Sequence, residues 1–267
     1  MGSYILCRVK RAQKPFYIEN IGRNIYSIEE LCYYLHHNIY LIDGTLINEE
    51  LADWIGKDLG LPLLAAKLRP HISKFADLHD VLYPIFKEIN YLTYEEMKKL
   101  GAEIEAFYRA PHLLREKKKG DALSDNGMYF SAIRLYERSL KEIGTEEGRE
   151  DAGEDADGLS TRILHNLGCI YARMFQMDKA AECFWKAFRE EERDEDLEAY
   201  LMAYGESRTP IEYESRLSEL AVTDTMRKNV QERLGQFRRT PEIPVYSQGI
   251  DQKLQEITKQ YHRSTGS

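Results

Sequence analysis

No stretch of this 267-residue chain approaches the roughly 20 consecutive apolar residues that a membrane-crossing helix needs, and residues Met1 to Arg8 lack the apolar core and cleavage site of a secretory leader. The expectation is a cytoplasmic protein with no membrane insertion. A surplus of positive charge is also missing. Lys and Arg number 37 against 45 Asp and Glu, for a formal net charge of -8, and phosphate backbones are gripped by concentrated cations, so nucleic acid is excluded as a partner. Cysteine is scarce: Cys7, Cys32, Cys169 and Cys183 contain no Cys-x-x-Cys pair, which fits reduced, buried thiols better than a zinc site or disulfide framework. The glycine-rich phosphate loops, the His-Glu-x-x-His helix and the Gly-x-Ser-x-Gly elbow are absent as well. The chain is therefore expected to be no enzyme and to need no cofactor or metal.

What is present is the composition of a helical protein. Hydrophobic residues make up 43% and charged residues 31%, with 18 Tyr against 8 Pro; enough apolar side chain is available for a real core. Tyr4 to Val9 is the one segment with strand character; with the Pro15 loop and Phe16-Tyr17-Ile18 it reads as a short β element or an extended arm. Ser27 followed by Glu30 is a capping box, predicting a helix to about His37 with Ile28, Leu31, Cys32 and Leu35 inward. Asn48 caps a helix through Leu51, Trp54 and Ile55, stopped by Gly60 and Pro62. Helices follow near 62–69 and 72–89, and Thr93 with Glu96 opens another through Met97, Leu100, Ile104 and Phe107 that ends before Pro111. Residues 1–110 thus read as a mostly helical N-terminal domain. Its tyrosines Tyr26, Tyr33, Tyr34 and Tyr40 belong either to a core or to a pocket, and a pocket would make this domain a small-ligand sensor or an enzyme.

After Pro111 the chain begins to resemble itself. Gly120, Ala132, Tyr136 and Ser139 are answered 48 residues later by Gly168, Ala180, Phe184 and Ala187, with Gly127 and Tyr129 adding to the pattern in the first copy and Leu164, Leu167 and Tyr171 in the second. A small residue on each of two helices lets the backbones approach while aromatics fill the space between layers. These positions resemble the tetratricopeptide repeat (TPR), a helical hairpin of about 34 residues; in the second copy Phe175 stands where the turn glycine is usual. The resemblance implies an all-α fold with a TPR-like solenoid over 111–240. The segments after Leu197, Pro210 and Asp224 serve as degenerate outer repeats. Residues 241–267 make a linker and a C-terminal amphipathic helix (Ile250, Leu254, Ile257, Tyr261). Between the two copies, Glu146 to Gly158 holds seven acids and one Arg and is expected to be a mobile acidic loop.

In TPR proteins the first helix of each repeat lines a groove for a peptide. Carried onto this chain, the lining is Leu114, Lys117, Asp121 and Ser124 in the first copy, with Arg162, His165, Asn166, Cys169 and Arg173 in the second. Lys117 and Asn166 match two positions of the clamp that such modules close on a terminal carboxylate, whereas Asp121 falls where that clamp uses Asn. The resemblance thus implies an adaptor or scaffold for a protein or peptide partner, of acidic character where Arg162, Arg173 and Lys117 meet it. The acidic loop offers itself as an internal competitor for that wall.

Overall fold

Residues 11–72, 78–152, 156–238 and 258 are described in this computed structural model. Among them the fold is all-α, with thirteen α-helices and one small two-stranded ribbon. The chain divides into two compact units, Met1–Ser207 and Arg208–Ser267.

The first unit opens with β1 (Phe16–Ile18) paired antiparallel to β2 (Arg23–Ile25), Phe16 facing Ile25. Gly22 takes the left-handed conformation (φ 60°) that the turn between them needs. Phe16-Tyr17-Ile18 is therefore a β element; the Tyr4 to Val9 segment lies outside the described residues.

Helix α1 (Ile28–His37) starts where the capping pattern puts it, with the Ser27 hydroxyl accepting from the Glu30 N–H at 3.2 Å. The reciprocal bond differs from a simple box, because the Glu30 carboxylate accepts instead from the Tyr26 N–H, one residue further out. Asn48 caps α2 (Glu49–Lys57) by accepting from the Leu51 N–H at 3.0 Å. Then come α3 (Pro62–Ile72), α4 (Leu78–Glu88) and α5 (Tyr94–Arg109), the last with both bonds of the Thr93/Glu96 box in place. One apolar core joins these helices: Ile28, Leu31 and Leu35 of α1, Leu51 and Ile55 of α2, Leu64 and Leu68 of α3, Leu82, Ile85 and Phe86 of α4. Each such side chain removed from water contributes about 1.5–3 kcal/mol. Of the four tyrosines, Tyr34 is buried in this core, Tyr33 is exposed and stacks on His37, Tyr26 lies under Arg11, and Tyr40 stands half-buried at its edge.

Helix α6 (His112–Asp125) turns at Gly127 (φ 77°) into α7 (Tyr129–Ile143) and packs along it. Ala122 of α6 belongs to the N-terminal core, and Asn126 donates to Asn38 at 2.6 Å, so contacts run without a break across residue 110. Gly120 sits against the Tyr136 ring, which leaves no room for a methyl group there.

The acidic segment is not a loop over its described length. Helix α8 (Glu146–Ala152) covers its first half, and α9 (Ala156–Arg173) starts before its end. Local chemistry accounts for the helix. The Thr145 hydroxyl accepts from the Gly148 N–H at 3.1 Å as a cap, and Glu146 and Glu147 occupy the first turn, where the helix dipole favours acids. Asp151 then accepts from the His112 and Leu113 N–H groups at 3.3 and 2.9 Å. It supplies the start of α6 with the acceptor that Pro111, having no side-chain oxygen, cannot. The described part of the segment is thus tied to the head of α6.

Helix α9 packs along α10 (Met177–Glu191), and α10 along α11 (Asp194–Ser207), while α7 also meets α9. A methyl at Gly168 would fall 2.7 Å from the Phe184 ring, the same close approach as at Gly120. The α9–α10 turn carries Phe175 at φ 57°, a left-handed position that favours glycine.

The second unit contains α12 (Pro210–Glu219), opened by a complete Thr209/Glu212 capping box, and α13 (Asp224–Arg238). The expected C-terminal amphipathic helix falls outside the described residues except for Thr258, which is helical. No helix among the described residues is long and apolar enough to cross a membrane.

Candidate functional site

One stripe of α9 stays partly open beside a buried apolar one. Ile163, Leu164, Leu167 and Ile170 face inward; Arg162, His165, Asn166 and Cys169 are half-buried and Arg173 is exposed. Spacings of three and four residues put these five on one helical face. On α6, Leu113, Glu116 and Gly120 are buried, whereas Leu114, Lys117, Asp121 and Ser124 are half-buried on a second stripe.

The two stripes are joined by a charged network around Asp121. Its Oδ2 accepts from Lys117 Nζ at 2.7 Å, one turn back along α6. Its Oδ1 accepts from the Tyr136 hydroxyl at 2.5 Å and from Asn166 Nδ2 at 2.8 Å. Burial, then the Asp121 hydrogen bond and charge, push the Tyr136 hydroxyl well above the usual phenol range, so it remains a donor. One carboxylate thus satisfies a cation, a phenol and an amide from three helices.

A second network links α9 to α11. His165 Nδ1 lies 2.6 Å from Asp196 Oδ1, and Arg193 Nε donates to Asp196 Oδ2 at 2.7 Å. Asp196 is fully buried. Such a carboxylate is tolerable only because both oxygens have charged or polar partners. His165 is raised to about 9, by its hydrogen bond with Cys169 first and by Asp196 after it, against the opposing effect of burial. It therefore carries a proton at neutral pH. The Phe184 ring packs edge-on against it with centroids 5.3 Å apart.

Of the residues singled out in the sequence, Lys117, Asp121 and Asn166 come together in the first network, and His165 and Cys169 in the second. Ser124, near the α6–α7 turn, and Arg173, near the α9–α10 turn, enter neither. The wall is less basic than its composition implies, since Lys117 is paired with Asp121 and the imidazolium of His165 with Asp196. Asp121 also sits where a bound terminal carboxylate would meet Lys117 and Asn166. Tyr136, Arg193 and Asp196 are the residues that sequence reasoning did not assign to the site. Asp196 looks like any first-turn acid, and only its burial beneath His165 sets it apart.

Comparison with protein-family models, with curated proteins and with solved structures finds no match to this chain.

Proposed function

We propose that the chain is a TPR-like adaptor that holds an extended segment of another polypeptide across the open faces of α6, α9 and α11. The observation that carries this reading is the pair of cross-helix bonds, Asn166 to Asp121 and His165 to Asp196. They join the half-buried stripes of α6 and α9 and anchor α9 to the buried Asp196 of α11, which holds these polar atoms fixed in direction. The close approach of Gly120 to Tyr136 and of Gly168 to Phe184 supports the hairpin geometry that the repeat resemblance implies.

The partner is a peptide gripped through its side chains and backbone, not through its end. Lys117 and Asn166 already serve Asp121, and a second carboxylate brought beside Asp121 would be repelled. Acidic side chains of the partner would meet Arg162 and Arg173 at the two ends of the α9 stripe. The cytoplasm suits this role, being the compartment that keeps thiols such as Cys32, Cys169 and Cys183 free.

The test is affinity capture with the wild-type chain, identification of the bound protein by mass spectrometry, and repetition with Arg162→Glu combined with Arg173→Glu. Loss of the partner in the double variant supports the groove. Undiminished capture, with helicity unchanged by circular dichroism, removes it.

A further inference from the structure

Away from the α6–α9–α11 face, a cleft of about 470 Å³ opens between the Tyr40–Asp43 segment, the end of α5, and α6 and α7. That volume falls within the roughly 300–1,000 Å³ of small-molecule sites. Its lining combines two kinds of chemistry. Tyr40, Phe107, Leu123 and Leu135 supply apolar surface, with the Tyr40 and Phe107 rings 5.0 Å apart and tilted. The Tyr40 ring is held in place, because its hydroxyl donates to Glu103 at 2.7 Å.

The lining also carries the cations Arg115, Lys119 and Arg138 with the acid Glu116. Glu116 is buried and accepts from both Lys119, at 2.9 Å, and Arg138. Burial alone would raise its carboxyl; the two cations hold it below the usual range, so it stays charged. Asp43, the remaining acid of the lining, is occupied by the N–H and hydroxyl of Thr45 at 2.9 and 2.6 Å. Three cations against two acids leave one positive charge in excess. Lys119 and Arg138 are both engaged by Glu116, which leaves Arg115 as the lining cation with no carboxylate partner among the described residues.

We infer that this cleft binds a small molecule with a flat aromatic body and a single anionic group, carboxylate or phosphate, the anion meeting Arg115 and the ring lying against Tyr40 and Phe107. A guanidinium is suited to either anion because its N–H groups match two oxygens at once, and the aromatic edges favour a planar ligand over a branched aliphatic one. This inference does not rest on the adaptor reading, since no cleft residue lies on the stripes that would hold a peptide.

Isothermal titration of the full chain with phenylacetate, phenyl phosphate, benzyl alcohol and inorganic phosphate tests it. Phenylacetate or phenyl phosphate should bind about tenfold or more tightly than the neutral alcohol and the bare ion, and the tighter of the two identifies the anion. Arg115→Met, which keeps the stem and removes the donors, should weaken that binding by about tenfold, equivalent to 1.4 kcal/mol. Leu135→Trp, which fills the cleft and leaves every charge in place, should abolish it. Arg173→Glu should leave it unchanged. The inference is overturned if neither aryl anion exceeds benzyl alcohol, if folded Arg115→Met or Leu135→Trp binds like wild type, or if Arg173→Glu abolishes binding and so relocates the site to the other face.

Discussion

Protonated His165 holds α9 to α11 through a carboxylate that water does not reach, so its charge state is a stability term. In the unfolded chain the imidazole titrates near its ordinary value of about 6.5, whereas in the fold it is raised to about 9. A raised value means the folded state binds the proton more tightly. The stabilisation is therefore complete below about pH 6.5 and is lost as pH rises through about 9. His165→Gln should cost about 1.5–3 kcal/mol near neutrality, the range for hydrogen bonds to charged groups, with the gap to wild type narrowing in alkali. Urea unfolding on both sides of that window measures it, and parallel curves for the two proteins would contradict it. Phe175 is a second residue whose effect has a definite sign. Its φ of 57° is left-handed and its side chain is 78% exposed, so it strains the turn while packing little. Phe175→Gly should stabilise the chain by about 1 kcal/mol, seen as a raised thermal midpoint; a fall would mean that the ring packs more than its exposure indicates.

At the scale of elements, the close contacts at Gly120 and Gly168 are not equivalent. Tyr136 is fixed at both ends, its ring against Gly120 and its hydroxyl on Asp121, whereas the Phe184 ring is held by packing alone, with no polar tether at its tip. A methyl at either site gains about 1 kcal/mol of helix propensity and incurs an overpacking cost of about 1–3 kcal/mol. Gly120→Ala should therefore destabilise by about 2 kcal/mol and Gly168→Ala by less than about 1 kcal/mol, compared by denaturant midpoints at a common slope. Equal losses would show that the Asp121 tether does not restrain the ring. Most helices could be read in advance because their signals are local. Ser27, Asn48 and Thr93 each act on a backbone donor three residues away, and the inward positions repeat at helical spacing. Helix α8 has such a local cap in Thr145, but the acids that follow read as a solvated run; what no local signal shows is that Asp151 serves the start of α6, 39 residues earlier at His112. Asp196 was hidden for the same reason: its partner His165 lies 31 residues away on another helix. The Lys117–Asp121 pair, one turn apart, was within reach of the sequence; that Asn166 and Tyr136 would converge on it was not.

At the scale of the whole chain, the distribution of apolar contacts decides which pieces stand alone. Internal self-similarity begins after Pro111, yet the first compact unit continues to Ser207, because the apolar side of α6 belongs to the N-terminal core through Ala122, with Leu123 and Met128 packed against it. A fragment spanning 1–207 should therefore unfold in a single cooperative transition followed equally by circular dichroism and tyrosine fluorescence. Two separated transitions would show that the segments before and after residue 110 fold independently.

The tethering of Asp151 to the head of α6 also bears on how this sequence can diverge. Residues 146–158 have the look of spacer that evolution trims or extends at will, but a deletion there would strip the cap from a helix lying earlier in the chain. A change of length before that aspartate should cost the first turn of α6 its acceptor.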